Sequence, residues 1–187
     1  MSWISFAEAL LKEHVTQTSL IRHLRQVACC MRWYAVRFNQ DIDLWENVGL
    51  LHDFDYEKHP ESSPPDGHPY FAARLLESLG FPAEGVEAIL AHAKYTGVER
   101  KALISKVLFA VDELSGFIDA CSRVHPSKSL EGLDADFILK RLKEKSFARN
   151  CNREDINEGA ADLNLELKVH IENCLEALRD FYRLEHL

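Results

Sequence analysis

The chain has 187 residues, 47% of them hydrophobic and 28% charged. That composition excludes a mainly disordered chain, and the length suffices to bury a core without disulfides. Twenty-two basic residues stand against 30 acidic ones, a net charge of −8, which excludes a broad nucleic-acid footprint. No apolar run approaches the roughly 18 residues of a membrane span. The first ten residues carry no basic segment, so no secretory signal is expected. Cys29, Cys30, Cys121, Cys151 and Cys174 form no Cys-x-x-Cys pair and are expected as reduced thiols in a cytoplasmic protein.

Helical spacing of apolar residues runs almost throughout, and period-2 alternation is absent, so the predicted fold class is all-α. A short helix is predicted over 5–14. A second covers 19–38, with Leu20, His23, Val27, Met31 and Tyr34 on one face. A third covers 44–53, with Leu44, Val48, Leu51 and His52 on one side. The stretch 59–67 (HPESSPPDG) is a loop. Pro69 suits the first turn of the next helix, placing His68 at its N-terminus, and Gly80 ends it. Another helix follows Pro82 and runs to about Lys94. The segment 102–118 is apolar almost all round and reads as a central buried helix. Between residues 140 and 153 six basic residues and one acidic one give a net +5. That window reads first as a solvated face and second as the border of a pocket for an anion. Asn152 is placed to cap a helix from Arg153, and a last helix spans about 165–184.

Chemistry concentrates at His23, His52, Asp53, His68, His92 and Asp112. The histidines lie on apolar stripes or at helix ends, and Asp112 follows the run Val107–Val111. A carboxylate in such a run is costly unless a cation or a donor meets it. A metal meets that need. Imidazole and carboxylate without thiolate suit Fe, Mn, Co, Ni or Zn. The adjacent pair His52-Asp53 lets the imidazole bind one ion while the carboxylate bridges to a second. Any one histidine on an apolar face is more often a hydrogen-bonded core residue than a ligand. The ordered set carries the reading. His14, His125, His170 and His186 show no such pattern and are read as structural.

The order His23 … His52-Asp53 … His68 … His92 … Asp112 resembles the HD-domain superfamily of metal-dependent phosphohydrolases. The supporting strings are Leu20-Ile-Arg-His23, Gly49-Leu-Leu-His-Asp53, His68-Pro-Tyr-Phe-Ala-Ala and Phe109-Ala-Val-Asp112-Glu-Leu. The resemblance covers about residues 18–121 of a single all-α domain spanning 1–187, with 122–187 as a C-terminal helical extension. The chain is also similar to a small prokaryotic branch of that superfamily at His52-Asp-Phe-Asp-Tyr-Glu57, Tyr95-Thr-Gly-Val98 and Asn152-Arg-Glu-Asp-Ile156. Its spacing is similar to that of HD-type diadenosine tetraphosphate hydrolases. Two departures stand out: Asp55 replaces the glycine of the frequent His-Asp-Ile-Gly string, and His92-Ala93 replaces the doubled histidine of the cyclic-dinucleotide phosphodiesterases.

The resemblance implies that His23, His52, Asp53 and Asp112 match the minimal metal-ligand set, and that His68 and His92 match the extra pair of members holding two metals. It implies one or two divalent transition metal ions, no organic cofactor, and hydrolysis of a phosphoester or pyrophosphate bond in a nucleotide or small phosphorylated metabolite, with His52 and Asp53 central to catalysis. Lys94, Arg100, Lys101, Arg123, Lys128 and Arg153 are candidates to hold phosphate, Lys94 and Lys128 foremost. Asp55 and Glu57 are expected to orient ligand histidines as outer acceptors. Neither nucleic acid nor membrane is an expected partner, and the sequence leaves the oligomeric state open. The same ligand set resembles HD-type di-iron oxygenases, and a non-catalytic module binding a phosphorylated ligand is the third reading.

Overall fold

The computed structural model describes residues 3–185. The described residues are helical or irregular, with no strand. The helices are α1 (Trp3–His14), α2 (Thr18–Phe38), α3 (Ile42–Leu51), α4 (Tyr70–Ser78), α5 (Ala83–His92), α6 (Leu103–Val124), α7 (Ala135–Leu142), α8 (Arg153–Asp162) and α9 (Leu167–Glu185), with a 3₁₀ turn at Lys94–Thr96. They group into two compact units, Met1–Phe109 and Ala110–Leu187, and the division falls within α6.

In the first unit α2 lies along α3. The predicted stripe of α2 turns inward: Val27, Met31 and Tyr34 have no exposed surface. Opposite them α3 presents Trp45, Val48 and Leu51, all buried. Each such side chain contributes about 1.5–3 kcal/mol on burial. Gly49 sets how closely the two helices approach. A Cβ there would stand 2.5 Å from Ala28 Cα and 2.7 Å from its amide nitrogen. Asn39 ends α2 in the left-handed region (φ 53°), with its amide returned to the last-turn carbonyls. Asp41 caps α3, accepting from the Leu44 amide at 3.0 Å.

Helix α3 stops at Leu51, two residues short of the predicted end. His52 is its C-cap and still has helical angles (φ −64°, ψ −34°). Asp53 opens the following turn, closed by Tyr56 N to Asp53 O at 3.0 Å. The two residues therefore belong to a helix end rather than a helix interior. Pro69 likewise precedes α4 as its N-cap instead of standing in its first turn. The predicted helix to Lys94 ends at His92, because residues 94–96 tighten into the 3₁₀ turn.

The second unit contains α7, which was not predicted although Ala135, Ile138, Leu139 and Leu142 stand at helical spacing. Its start signal is Asp134, whose side chain accepts from Phe137 N at 2.8 Å. Asn152 caps α8 as predicted, accepting from the amides of Glu154 and Asp155. Within this unit α9 packs on α7 and α8. The core draws Leu114, Phe117 and Ile118 from α6, Ile138 from α7, Ile156 from α8, and Ile171 and Leu178 from α9. All five cysteines are free thiols.

Candidate metal centre

Four elements of the first unit deliver donors to one place. His23 comes from the second turn of α2, His52 and Asp53 from the end of α3, His68 from the residues before α4, and His92 from the last turn of α5. Two overlapping groups result, His23–His52–Asp53 and Asp53–His68–His92, each with donor atoms within 4.8 Å of one another. Asp53 belongs to both. The rings of His23 and His52 lie edge to face at 5.3 Å, those of His52 and His92 at 5.3 Å, and those of His68 and His92 at 5.2 Å.

The ring orientations follow from the inner nitrogens. His52 Nδ1 is 2.8 Å from Gly49 O, His92 Nδ1 is 2.5 Å from Ile89 O, and His68 Nδ1 is 2.7 Å from Asp55 Oδ1. A carbonyl or carboxylate oxygen only accepts, so each Nδ1 donates its hydrogen. In the neutral form of each ring Nε2 then carries the lone pair. Those nitrogens point at one oxygen: Asp53 Oδ1 is 3.3 Å from His68 Nε2, 3.3 Å from His92 Nε2 and 3.6 Å from His52 Nε2. Three lone pairs and a carboxylate oxygen repel one another unless a cation stands among them.

The spacing fits such a cation. These separations exceed a normal N–H···O bond of about 2.9 Å. Ligand atoms sharing an ion at about 2.1 Å stand about 3.0 Å apart at a right angle and about 3.4 Å apart at the tetrahedral angle. His52, His68 and His92 are nearly or fully buried, while the Asp53 side chain keeps 18% exposure, so the site has an open side. The donor set thus fits a divalent transition metal, which His23, His52, Asp53, His68 and His92 could hold, Asp53 belonging to both donor groups.

Asp55 is fully buried and bridges: Oδ1 accepts from His68 and Oδ2 accepts from Ala72 N at 2.9 Å. The residue that replaces glycine in the family string is thus the outer acceptor of one candidate ligand. Glu57 has a different partner from the one expected. Its carboxylate accepts from the amides of Thr16 (2.8 Å) and Gln17 (2.9 Å) and from the Thr16 hydroxyl. These bonds, the Thr16 hydroxyl foremost, hold its carboxyl below the ordinary range. The physical reason is the start of α2, whose N-cap Gln17 provides no side-chain cap. Glu57 therefore ties the helix carrying His23 to the turn that follows Asp53.

Two tyrosines frame His68. The Tyr95 hydroxyl donates to His68 O at 2.9 Å, and the Tyr56 ring meets the His68 ring edge-on at 5.3 Å. Both are half-exposed. Burial, with the Asp53 and Asp55 charges adding to it, pushes the Tyr95 phenol above its usual value. Both tyrosines lie in strings shared with the prokaryotic branch, Tyr56 in 52–57 and Tyr95 in 95–98, but neither was given a role from sequence. The loop leading to His68 is closed by His68 N to His59 O at 2.8 Å, and His59 stacks on Phe71 at 3.9 Å.

Asp112 lies on α6 in the second unit, half-buried beside Glu113. Burial, with the Asp112 charge next, raises the Glu113 carboxyl. Lys94 Nζ and the Arg100 guanidinium lie over the Phe109 ring at 5.3 and 3.7 Å. Lys101 pairs with Glu99 at 3.0 Å and Arg123 with Asp119 at 2.8 Å. Lys128 Nζ donates to Arg123 O at 2.9 Å, closing the end of α6. Arg153 serves carbonyls of its own unit. Among the histidines read as structural, His14 packs on Phe54, His125 accepts from Ser127, and His170 donates to Ala110 O. Burial lowers the pKa of both His14 and His170. His186 lies outside the described residues.

These features define an all-α protein with a clustered imidazole–carboxylate centre of metal-binding type. The sequence profile of the HD domain family matches residues 20–116, more than half of the chain, and the chain belongs to that family. Searches of curated proteins and of solved structures found no match.

Proposed function

We propose that the chain is a metal-dependent phosphohydrolase acting on a phosphoester or pyrophosphate bond of a nucleotide or small phosphorylated metabolite. The observation that carries this reading is the convergence of three histidine Nε2 atoms on Asp53 Oδ1, each ring fixed through its Nδ1. His23, His52, Asp53, His68 and His92 are the proposed ligands of one or two divalent ions, with Asp112 as a sixth on the strength of the family pattern. Divalent ions held there supply Lewis-acid polarisation of phosphoryl oxygens and activation of water at neutral pH.

This chain's residues do the rest. Asp53 would neutralise charge on the bound ions, while the rings of His52, His68 and His92 are held through their Nδ1 hydrogens. Asp55 keeps the His68 hydrogen on Nδ1 and leaves Nε2 free to donate its lone pair. Lys94, two residues beyond His92, is the proposed phosphate contact nearest the centre in sequence. Lys128 is the second. The similarity in spacing to HD-type diadenosine tetraphosphate hydrolases makes dinucleoside polyphosphates part of the first substrate panel.

The test is product release from nucleotides, dinucleoside polyphosphates and phosphomonoesters with added Mn²⁺, Fe²⁺ or Co²⁺, with and without O₂. Turnover that needs metal and not O₂ is expected. His52→Ala and Asp53→Ala should abolish it and lower the metal content while circular dichroism stays helical. Full activity in either variant, or activity confined to iron with O₂, overturns the reading. The second of those results assigns the chain to the oxygenase class.

A further inference from the structure

The basic window of the second unit breaks the charge habit of the rest of the protein. Elsewhere cations commonly sit against acids: Arg25 on Glu8, Arg32 on Glu46, Arg74 on Asp66, Lys168 on Asp136. Within residues 140–153 two of the six basic side chains are engaged. Arg141 pairs with Glu144 at 2.7 Å and lies over the Phe137 and Phe147 rings. Arg153 is half-buried and turned inward. The remaining four, Lys140, Lys143, Lys145 and Arg149, are exposed and have no acidic partner among the described residues. Four like charges within ten residues repel one another, and a protein of net charge −8 gains no solubility from them.

Arg153 gives the loop 143–151 a fixed shape. Its guanidinium donates to the carbonyls of Leu142, Glu144, Phe147, Ala148 and Cys151. One cation thus collects five acceptors on the inner side of the loop. Among the described residues the amides of Ala148, Arg149 and Asn150 have no protein acceptor. Ala148 has φ +42°, a left-handed conformation unfavourable for a residue with a Cβ. A left-handed residue in a turn is one element of the backbone nests that receive oxyanions. Beside it lies an open cavity of about 490 Å³ lined by Ala148, Arg149, Asn150 and Cys151. Burial and the Glu113 charge raise the Cys151 thiol, so it stays neutral there.

We infer that the loop 143–151 is an anion-binding site for the phosphate group of a small soluble ligand. Arg149 and the amides of Ala148–Asn150 would contact the oxygens, and Lys140, Lys143 and Lys145 supply the surrounding positive potential. Phosphate fits better than a carboxylate because it offers three or more acceptor oxygens to a ring of donors. The site stands on residues of the second unit alone and does not depend on the metal reading.

The experiment is an amide-resolved NMR titration of the full chain with inorganic phosphate, in chelator to silence metal sites and at constant ionic strength. Saturable shifts at Ala148, Arg149 and Asn150 are expected, and chloride at matched strength should give none. The double variant Lys145→Ala/Arg149→Ala should weaken binding at least tenfold without lowering Tm, since neither side chain holds an internal partner. Asp53→Ala should bind phosphate at the loop unchanged, which separates this site from the metal centre. Linear, non-saturating shifts, or undiminished affinity in the double variant, overturn the inference. Capture by phosphatidylserine vesicles without a saturable phosphate response overturns the assignment to a soluble ligand.

Discussion

Asp55→Asn separates the orienting role of the buried carboxylate from its bulk. In the native chain two donors face it, His68 Nδ1–H at 2.7 Å and Ala72 N–H at 2.9 Å. A carboxylate accepts both. An asparagine of the same shape offers one oxygen and one NH₂. If its oxygen faces Ala72, the NH₂ faces His68 and only the tautomer with hydrogen on Nε2 fits. The Nε2 lone pair, 3.3 Å from Asp53 Oδ1, is then lost. If the oxygen faces His68, two donors meet in a fully buried place, at a cost of about 1–3 kcal/mol. Both routes weaken the centre. Loss of such an outer partner lowers metal affinity about 10- to 100-fold, or about 1.4–2.8 kcal/mol. Chelator-competition titration with Zn²⁺ or Mn²⁺ measures it, with circular dichroism as the control for fold. Asp55→Ala, which abandons both donors, should lose at least as much and also lower Tm in the absence of metal. An Asn variant that binds metal as tightly as the parent, at unchanged Tm, refutes the orienting role.

Three further outcomes are expected. Gly49→Ala drives a Cβ to 2.5 Å from the Ala28 backbone and should cost about 1–3 kcal/mol, a Tm drop of roughly 2–10 °C by thermal melting, with metal affinity falling as His23 and His52 separate. Arg153→Ala abandons five carbonyls and should destabilise the second unit by about 2–4 kcal/mol in denaturant titration, and Arg153→Lys should not restore it, because an ammonium cannot reproduce the planar fork. Glu57 has a folded pKa below its unfolded value of about 4.3, so its contribution is present above that pH and lost as pH falls through the lower folded value. Melts between pH 3 and 6 should therefore show the parent's advantage over Glu57→Gln shrinking on acidification.

Much of the fold was legible because the helices of the first unit are amphipathic and punctuated by Pro and Gly. The α2 stripe and the Asn152 cap could be read directly. Helix α7 escaped although Ala135, Ile138, Leu139 and Leu142 stand at helical spacing, because it is only eight residues long and runs into the basic window that was read for its charge. The centre was legible as an ordered series of His and Asp. The outer partners divided. Asp55 stands where a tight turn could have used glycine, and its distance from His68 in sequence hides the contact. Glu57 looked equivalent to it, two residues on, yet the turn geometry sends it to Thr16 and Gln17. Adjacency to a ligand pair does not tell which way a turn residue faces.

Two of the three histidines at Asp53 take their orientation from the carbonyl three residues back in their own helix, Gly49 O for His52 and Ile89 O for His92. A main-chain acceptor cannot be mutated away, so those rings are held for as long as their helix ends are folded. His68 takes its orientation from the side chain of a residue 13 positions earlier. Among the three rings at Asp53, two are hard-wired and one, His68, depends on a replaceable side chain. On the proposed metal reading, inherited change at residue 55 would retune one ligand without rebuilding the scaffold that holds the other two.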